Sequence, residues 1–206
     1  MRRYIYVLFL FCSVNITLYA QQDDTSIRRK IGQIAHTIKT MQCDFVQTKH
    51  LKMLNDNMVS KGRMYYQQSD RLRWEYISPY TYTFIINKDK VLLKNNRRND
   101  VIDVKKNKIF KEIARIMMNS VVGNCLNDDK DFKSSISVVR GEWVAVLQPQ
   151  RRELKQMFQK IVLHFSQNQA IVTRVELIEK NGDKTEIELK NIRTNETINS
   201  NIFALN

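Results

Sequence analysis

A chain of 206 residues is long enough for one domain with a substantial core, and three cysteines are too few for a disulfide scaffold. The formal net charge of +13 suits an anionic surface or an acidic partner, while no nucleic-acid motif is present. There is no G-x-S-x-G, P-loop, H-E-x-x-H or dinucleotide fingerprint, so we expect a non-enzyme with no catalytic residues, no metal ligands and no cofactor.

The first twenty residues read as an export signal. Arg2 and Arg3 precede an uncharged, mostly apolar run over Tyr4–Leu18, and Ala20 offers a small residue before Gln21-Gln22-Asp23-Asp24. This reading makes residues 1–20 a signal peptide and residues 21–206 a single exported domain. Removal of the leader takes two arginines and no acid, so the net charge falls from +13 to +11. Cys12 is a weak candidate for lipidation, because Phe11 stands where a small residue is wanted. The exported part keeps Cys43 and Cys125, which permit one disulfide without requiring it.

Apolar residues at helical spacing predict an amphipathic helix over Asp24–Met41, carrying Ile27, Ile31, Ile34, Ala35 and Ile38 on one face. Strands are predicted over Cys43–Lys52, Met58–Gln67 and Arg71–Ile77, the last ended by Pro79. In the third, Leu72, Trp74 and Tyr76 point one way and Arg71, Arg73 and Glu75 the other, which predicts one apolar, aromatic face and one charged, wet face. Tyr82–Asn87 and Lys90–Lys94 form a hairpin about Lys88-Asp89, and a short strand follows at Val101–Val104.

Periodicity then changes. Ile109, Phe110, Ile113, Ile116, Met117 and Val121 predict a helix over Asn107–Val122, stopped by Gly123-Asn124. Strands return at Ser137–Leu147 (broken by Gly141), Met157–Phe165, Ile171–Lys180 and Lys184–Asn191, with a short last strand near Ile202–Leu205. Asn181-Gly182-Asp183 reads as a type I′ hairpin turn. The predicted class is α+β, mainly β: about ten antiparallel strands that must curl, with two striped helices to cover the concave side. The covered side is either a packed core or a cavity with a lid. His36, His50 and His164 show no metal-ligand spacing and are read as ordinary, partly exposed histidines.

The ordered pieces resemble the LolA family of periplasmic lipoprotein carriers. They are the first helix leading into Asp44-Phe45-Val46-Gln47-Thr48-Lys49, then Lys61-Gly62-Arg63-Met64-Tyr65-Tyr66, then Asp70-Arg71-Leu72-Arg73-Trp74-Glu75-Tyr76 with Pro79. The helical insert, Met157-Phe158, Ile161-Val162-Leu163, Asn181-Gly182-Asp183 with Thr185, and Asn195 with Ile198 and Phe203 complete the set. The resemblance implies an incomplete β-barrel of the LolA/LolB kind, closed by helices over an apolar cavity for lipoprotein acyl chains. It implies loading by an inner-membrane ABC transporter of the lipoprotein-sorting type, with the outer-membrane acceptor unknown; the chain itself is expected to be a monomer. It also implies a lipid-binding cavity formed by Phe45, Met64, Leu72, Trp74, Tyr76, Phe84, Ile86, Ile109, Ile113, Ile116, Met117 and Leu163. In the better-known members a basic residue and a proline linked to lid closure precede the third strand. Here Gln68 and Ser69 stand there, so Gln68, Arg71 and Arg73 become the candidates for lid or transfer control, and Leu72 replaces an aromatic that contacts cargo. Two alternatives stay open on the same fold: an envelope sensor resembling RseB, and a carrier of another lipid or glycolipid.

Overall fold

The computed structural model describes residues 24–54, 56–68, 70–103, 116, 118–119, 122–127 and 130–205. Helix α1 (Asp24–Thr37) leads into β1 (Thr40–Leu51), β2 (Asp56–Gln67), β3 (Arg71–Ser78), β4 (Tyr82–Asn87), β5 (Lys90–Asn95) and β6 (Asn99–Asp103). After a 3-10 turn at Asn124–Asn127 come β7 (Phe132–Val139), β8 (Glu142–Pro149), the short helix α2 (Arg152–Met157), β9 (Phe158–Ser166), β10 (Val172–Glu179) and β11 (Lys184–Thr194). A final 3-10 turn spans Ser200–Phe203.

All the strands lie in one antiparallel sheet of order β6-β5-β4-β3-β2-β1-β11-β10-β9-β8-β7. Two meanders thus meet at the β1–β11 pair, where Phe45 opposes Leu189. Among the described residues β6 and β7 are the two edges, so the sheet is not closed. It is nevertheless curled. Flat, β4 and β9 would lie six strand spacings apart, about 29 Å; instead both contribute to the wall of one hollow of about 350 Å³.

The inner face carries one continuous core, from Val91 on β5 through Leu72, Met64, Phe45 and Leu163 to Phe132 on β7. α1 adds Ile27 and Ile31 to it. The helix is fixed to the β7 edge by ionic contacts as well: Asp24 accepts from the Ile136 backbone N–H at 3.1 Å, and Arg28 donates to Asp24, the Leu126 carbonyl and Ser134 Oγ. An otherwise open strand edge is thereby partly satisfied.

Several expected boundaries move. The first helix ends at Thr37, because Thr40 and Met41 pair with Gln67 and Thr194 in the ladders of β1. Ser137–Leu147 is two strands, not one. Arg140 and Gly141 both adopt positive φ, 49° and 80°, as a type I′ turn requires, and Val139 opposes Glu142 across it. At Asn181-Gly182 only Gly182 has positive φ (90°), and Gly182 N–H donates to the Glu179 carbonyl. That turn is a three-residue loop with glycine in the left-handed position, not the expected type I′. Helix α2 was not anticipated, and Ile202–Leu205 forms no strand, since the chain turns over the back of the sheet there.

The back of β3 is not simply wet. Tyr65, Ile85, Leu92, Ile198, Ile202, Phe203 and Leu205 form a second, small core on that face, with Ile85, Leu92 and Phe203 at 0–1% exposure. Arg73 donates to the Ile202 carbonyl at 3.1 Å and Asn87 to the Phe203 carbonyl at 3.0 Å. The expected wet face is therefore covered at β3–β5 by the C-terminal segment. The proposed leader with Cys12, the position Ser69, and most of the Asn107–Val122 insert lie outside the described residues.

Candidate functional site

The site begins with a missing side chain. Gly62 on β2 opposes Phe45 on β1 and Tyr76 on β3. A Cβ there would lie 2.0 Å from the Glu75 carbonyl oxygen and 2.5 Å from the Phe45 ring. The vacancy lets Phe45 lean across β2 and stack on Trp74, with centroids 4.4 Å apart, while Tyr76 meets Phe45 edge-on at 5.2 Å. Such pairs contribute about 0.5–1.5 kcal/mol beyond area burial. Trp74 and Tyr76 thus form an aromatic floor that Phe45 supports from behind.

Above that floor lies the hollow of about 350 Å³. Trp74, Tyr76, Tyr82 and Phe84 form its β3–β4 side. Val175, Leu177, Ile187 and Leu189 from β10 and β11 form the opposite side, with Leu154, Met157, Phe158 and Ile161 from the α2–β9 region. Gln47 is the one amide among the described residues that line it, and its Oε1 accepts from the Tyr76 hydroxyl at 2.9 Å. Burial, then the neighbouring Tyr80, push the Tyr76 phenol up, so it remains neutral. Among the described residues the wall is thus apolar, uncharged and hydrogen-bonded internally, an environment that favours hydrocarbon over any charged ligand.

Four of the expected cavity residues, Trp74, Tyr76, Phe84 and Ile116, line this hollow. Phe45, Met64, Leu72, Ile86 and Leu163 lie in the core behind the wall, each at 2% exposure or less. They have the expected side of the sheet, but neighbours cover them. Ile109, Ile113 and Met117 lie outside the described residues, while Ile116 and Met118 pack against the core. Gln68 sits in the β2–β3 turn, its N–H bonded to the Lys39 carbonyl at 2.7 Å. Arg71 bonds Gln67, and Arg73 bonds Glu75 and the C-terminal segment; Arg73 thus works on the face away from the hollow. From β9–β11 the expected set holds only Leu163, so the β10–β11 side of the wall is an addition. Its signal was present in the alternation of Val175 and Leu177 around Glu176, and of Ile187 and Leu189 around Glu188.

The residues near Cys43 do not assemble a reactive group. Cys43 is a buried free thiol, pushed up to about 12 by burial first and then by the charge of Asp44. Asp44 faces outward to Asn191 at 2.8 Å, and His50 contacts Asn57. The side chain of Cys125 lies outside the described residues.

A family model described as outer membrane lipoprotein carrier protein LolA matches residues 36–206. The chain belongs to the LolA family. It is also 28% identical over 89 residues to an outer-membrane lipoprotein carrier protein of Methylococcus capsulatus, a match covering 43% of this chain and 41% of that protein. The chain thus matches about two-fifths of that relative's length. Among solved structures, an uncharacterized conserved protein from Thermus thermophilus aligns with a TM-score of 0.54 at 10% identity, covering 87% of this chain and 91% of that one. The Pseudomonas aeruginosa MucA/MucB complex aligns at 0.51 and 11% identity, covering 88% and 60%. At such identities these two matches establish a shared fold alone. Its large antiparallel sheet is the element that carries the hollow.

One polar cluster lies on the outer face of β8–β11, away from the hollow. His164, expected to be partly exposed, is 7% exposed and held between Glu142 (3.0 Å) and Glu176 (2.9 Å). Lys184 joins Glu176 and Glu186 at 2.9 and 3.1 Å. Opposite charges there satisfy one another across strands, and the cluster reads as a structural network.

Proposed function

We propose that this protein is a periplasmic carrier that holds the acyl chains of lipoproteins in the β3–β4/β10–β11 hollow and moves them from the inner to the outer membrane. In this reading residues 1–20 are an export leader and residues 21–206 are one carrier domain. Loading is by an inner-membrane ABC transporter of the lipoprotein-sorting type. The observation that carries the proposal is the apolar, uncharged wall of a hollow of about 350 Å³, a size within the usual range of ligand sites. Family membership supports it. The energetic need is clear: a sixteen-carbon chain exposed to water costs on the order of 12 kcal/mol, at about 0.8 kcal/mol per methylene. Shielding by an apolar wall removes most of that cost, and no chemistry is required.

Native mass spectrometry with lipid extraction, on protein purified from an envelope fraction, tests the proposal. Lipoprotein or diacylated lipid is expected at near one-to-one ratio. Protein that is always empty, and stays empty when offered a diacylated lipopeptide, would sink it.

A further inference from the structure

Seven of the ten large hydrophobic residues exposed most among the described residues cluster at one end of the sheet. Four belong to the β1–β2 hairpin: Met53 (95% exposed), Leu54 (70%), Met58 and Val59. Ile77 and Tyr80 flank the neighbouring β3–β4 connection. Met157 lies beside the β10–β11 turn, where its carbonyl accepts from the Lys180 N–H at 3.2 Å. Strand register puts these features together. The β2–β3 ladder starts only at Lys61↔Ser78, so Asp56–Ser60 run on past the end of β3. Five such residues extend roughly 17 Å. Opposite them, His50 is the last β1 residue to pair with β11.

This is the end at which the hollow lies, since Gln47, Tyr76, Tyr82 and Leu177 all come from it. Among the described residues nothing covers the apolar side chains on the overhang: β2 has four exposed residues in succession there, Asp56–Val59. Charge gives the partner. Residues 49–61 carry Lys49, Lys52 and Lys61 against Asp56; Lys49 pairs across to Glu179 at 3.2 Å, which leaves Lys52 and Lys61, with the exposed Lys180 of the neighbouring turn, as the collar. The Lys52 stem lies against Gly182, where an added Cβ would come within 2.7 Å of its Cδ. An apolar tip with a basic collar is the pattern of a segment that seats in the interface of an anionic bilayer.

We propose that this end of the sheet docks on phospholipid bilayers, with Met53 and Leu54 entering the headgroup–acyl boundary and the lysines meeting anionic headgroups. The inference deepens the carrier reading and rests on it for its purpose: docking would bring the mouth of the hollow to the membrane surface, so that an acyl chain crosses less water.

The test is flotation of the processed protein with vesicles of phosphatidylethanolamine and phosphatidylglycerol, against phosphatidylcholine alone. Wild-type protein should float with the anionic vesicles, and less so at high salt, because headgroup attraction is screened. The double variant M53D/L54D should lose at least about tenfold in vesicle affinity, as two apolar side chains leave the interface. Its melting temperature and its binding of a fluorescent fatty acid in solution should match wild type, since both residues are solvent-exposed. Wild-type protein that stays in solution, or a double variant that floats equally well, would overturn the proposal. So would a wild-type dimer in sedimentation that M53D/L54D abolishes, for the face would then belong to a second copy. Vesicle binding without any fatty-acid binding would leave docking intact and defeat the carrier reading instead.

Discussion

Gly62 does a job that no other residue can, because its neighbours occupy the place of a side chain. The Glu75 carbonyl, 2.0 Å from where a Cβ would lie, is backbone, which cannot rotate aside, and the Phe45 ring is pinned by Trp74. Gly62→Ala should therefore destabilise by about 3 kcal/mol, at the upper end of ordinary overpacking. Gly141→Ala is the control: nothing lies within 4 Å there, and only its positive φ of 80° opposes a side chain, so about 1 kcal/mol is expected. Urea unfolding of both variants checks the difference, and equal losses would remove the steric argument. Cys43 gives a second prediction at this scale. With its thiol pushed up to about 12 by burial, then by Asp44, almost none is thiolate near neutrality. In a Cys125→Ser background, a thiol reagent at pH 8 should react at least about a thousandfold faster in denaturant than with the folded protein. Rapid native labelling would mean that β1 opens readily.

At the scale of elements, the outer network on β8–β11 makes stability depend on acid. Burial alone would raise the Glu176 carboxyl, but the Lys184 and His164 contacts outweigh it and leave the group below its usual range. A lowered carboxyl contributes stability that is present above the ordinary glutamate value, about 4.3, and is lost as pH falls through the folded one. Lys184 behaves conversely. Burial would lower it, contacts with Glu176 and Glu186 raise it, and its contribution is lost only as pH climbs above the lysine range. The urea midpoint should thus fall on acidification below about pH 4, and Glu176→Gln should flatten that fall. An unchanged slope would show that the cluster adds nothing. Local patterns made much of the architecture readable: period-two alternation gave β3, β4 and β11 their inner faces, and the 3.6-residue stripe gave α1 its buried side. What stayed hidden was long-range. Nothing local says that Ile202 and Phe203 lie behind β3–β5 or that His164 falls between two glutamates. The same holds for the site: Trp74, Tyr76 and Phe84 were legible on their own strands. Leu177 and Ile187 joined the wall only because β1–β11 pairing brings the two meanders together.

For the whole molecule, the curled open sheet leaves its hollow supported by two walls that are far apart in sequence, β3–β4 and β10–β11. A ligand that touches both should tie the meanders together and stabilise the folded state by mass action, about 2.7 kcal/mol at a hundredfold excess over its dissociation constant. For a domain of this size that corresponds to a rise in melting temperature of roughly 5–10 °C. Palmitate or a diacylated lipopeptide should produce the shift. Leu177→Glu should abolish it, because a carboxylate facing an acyl chain is an unpaired charge in hydrocarbon. Leu177 is the right position, since it lines the hollow and is only partly buried, so the unliganded variant can keep its charge in water. Leu72→Glu would be uninformative: at 0% exposure it would unfold the core. M53D/L54D should keep the full thermal shift while losing vesicles, which separates holding the chain from reaching the membrane. If Leu177→Glu shifts as much as wild type, the acyl chain binds elsewhere and the β10–β11 wall has no part in it.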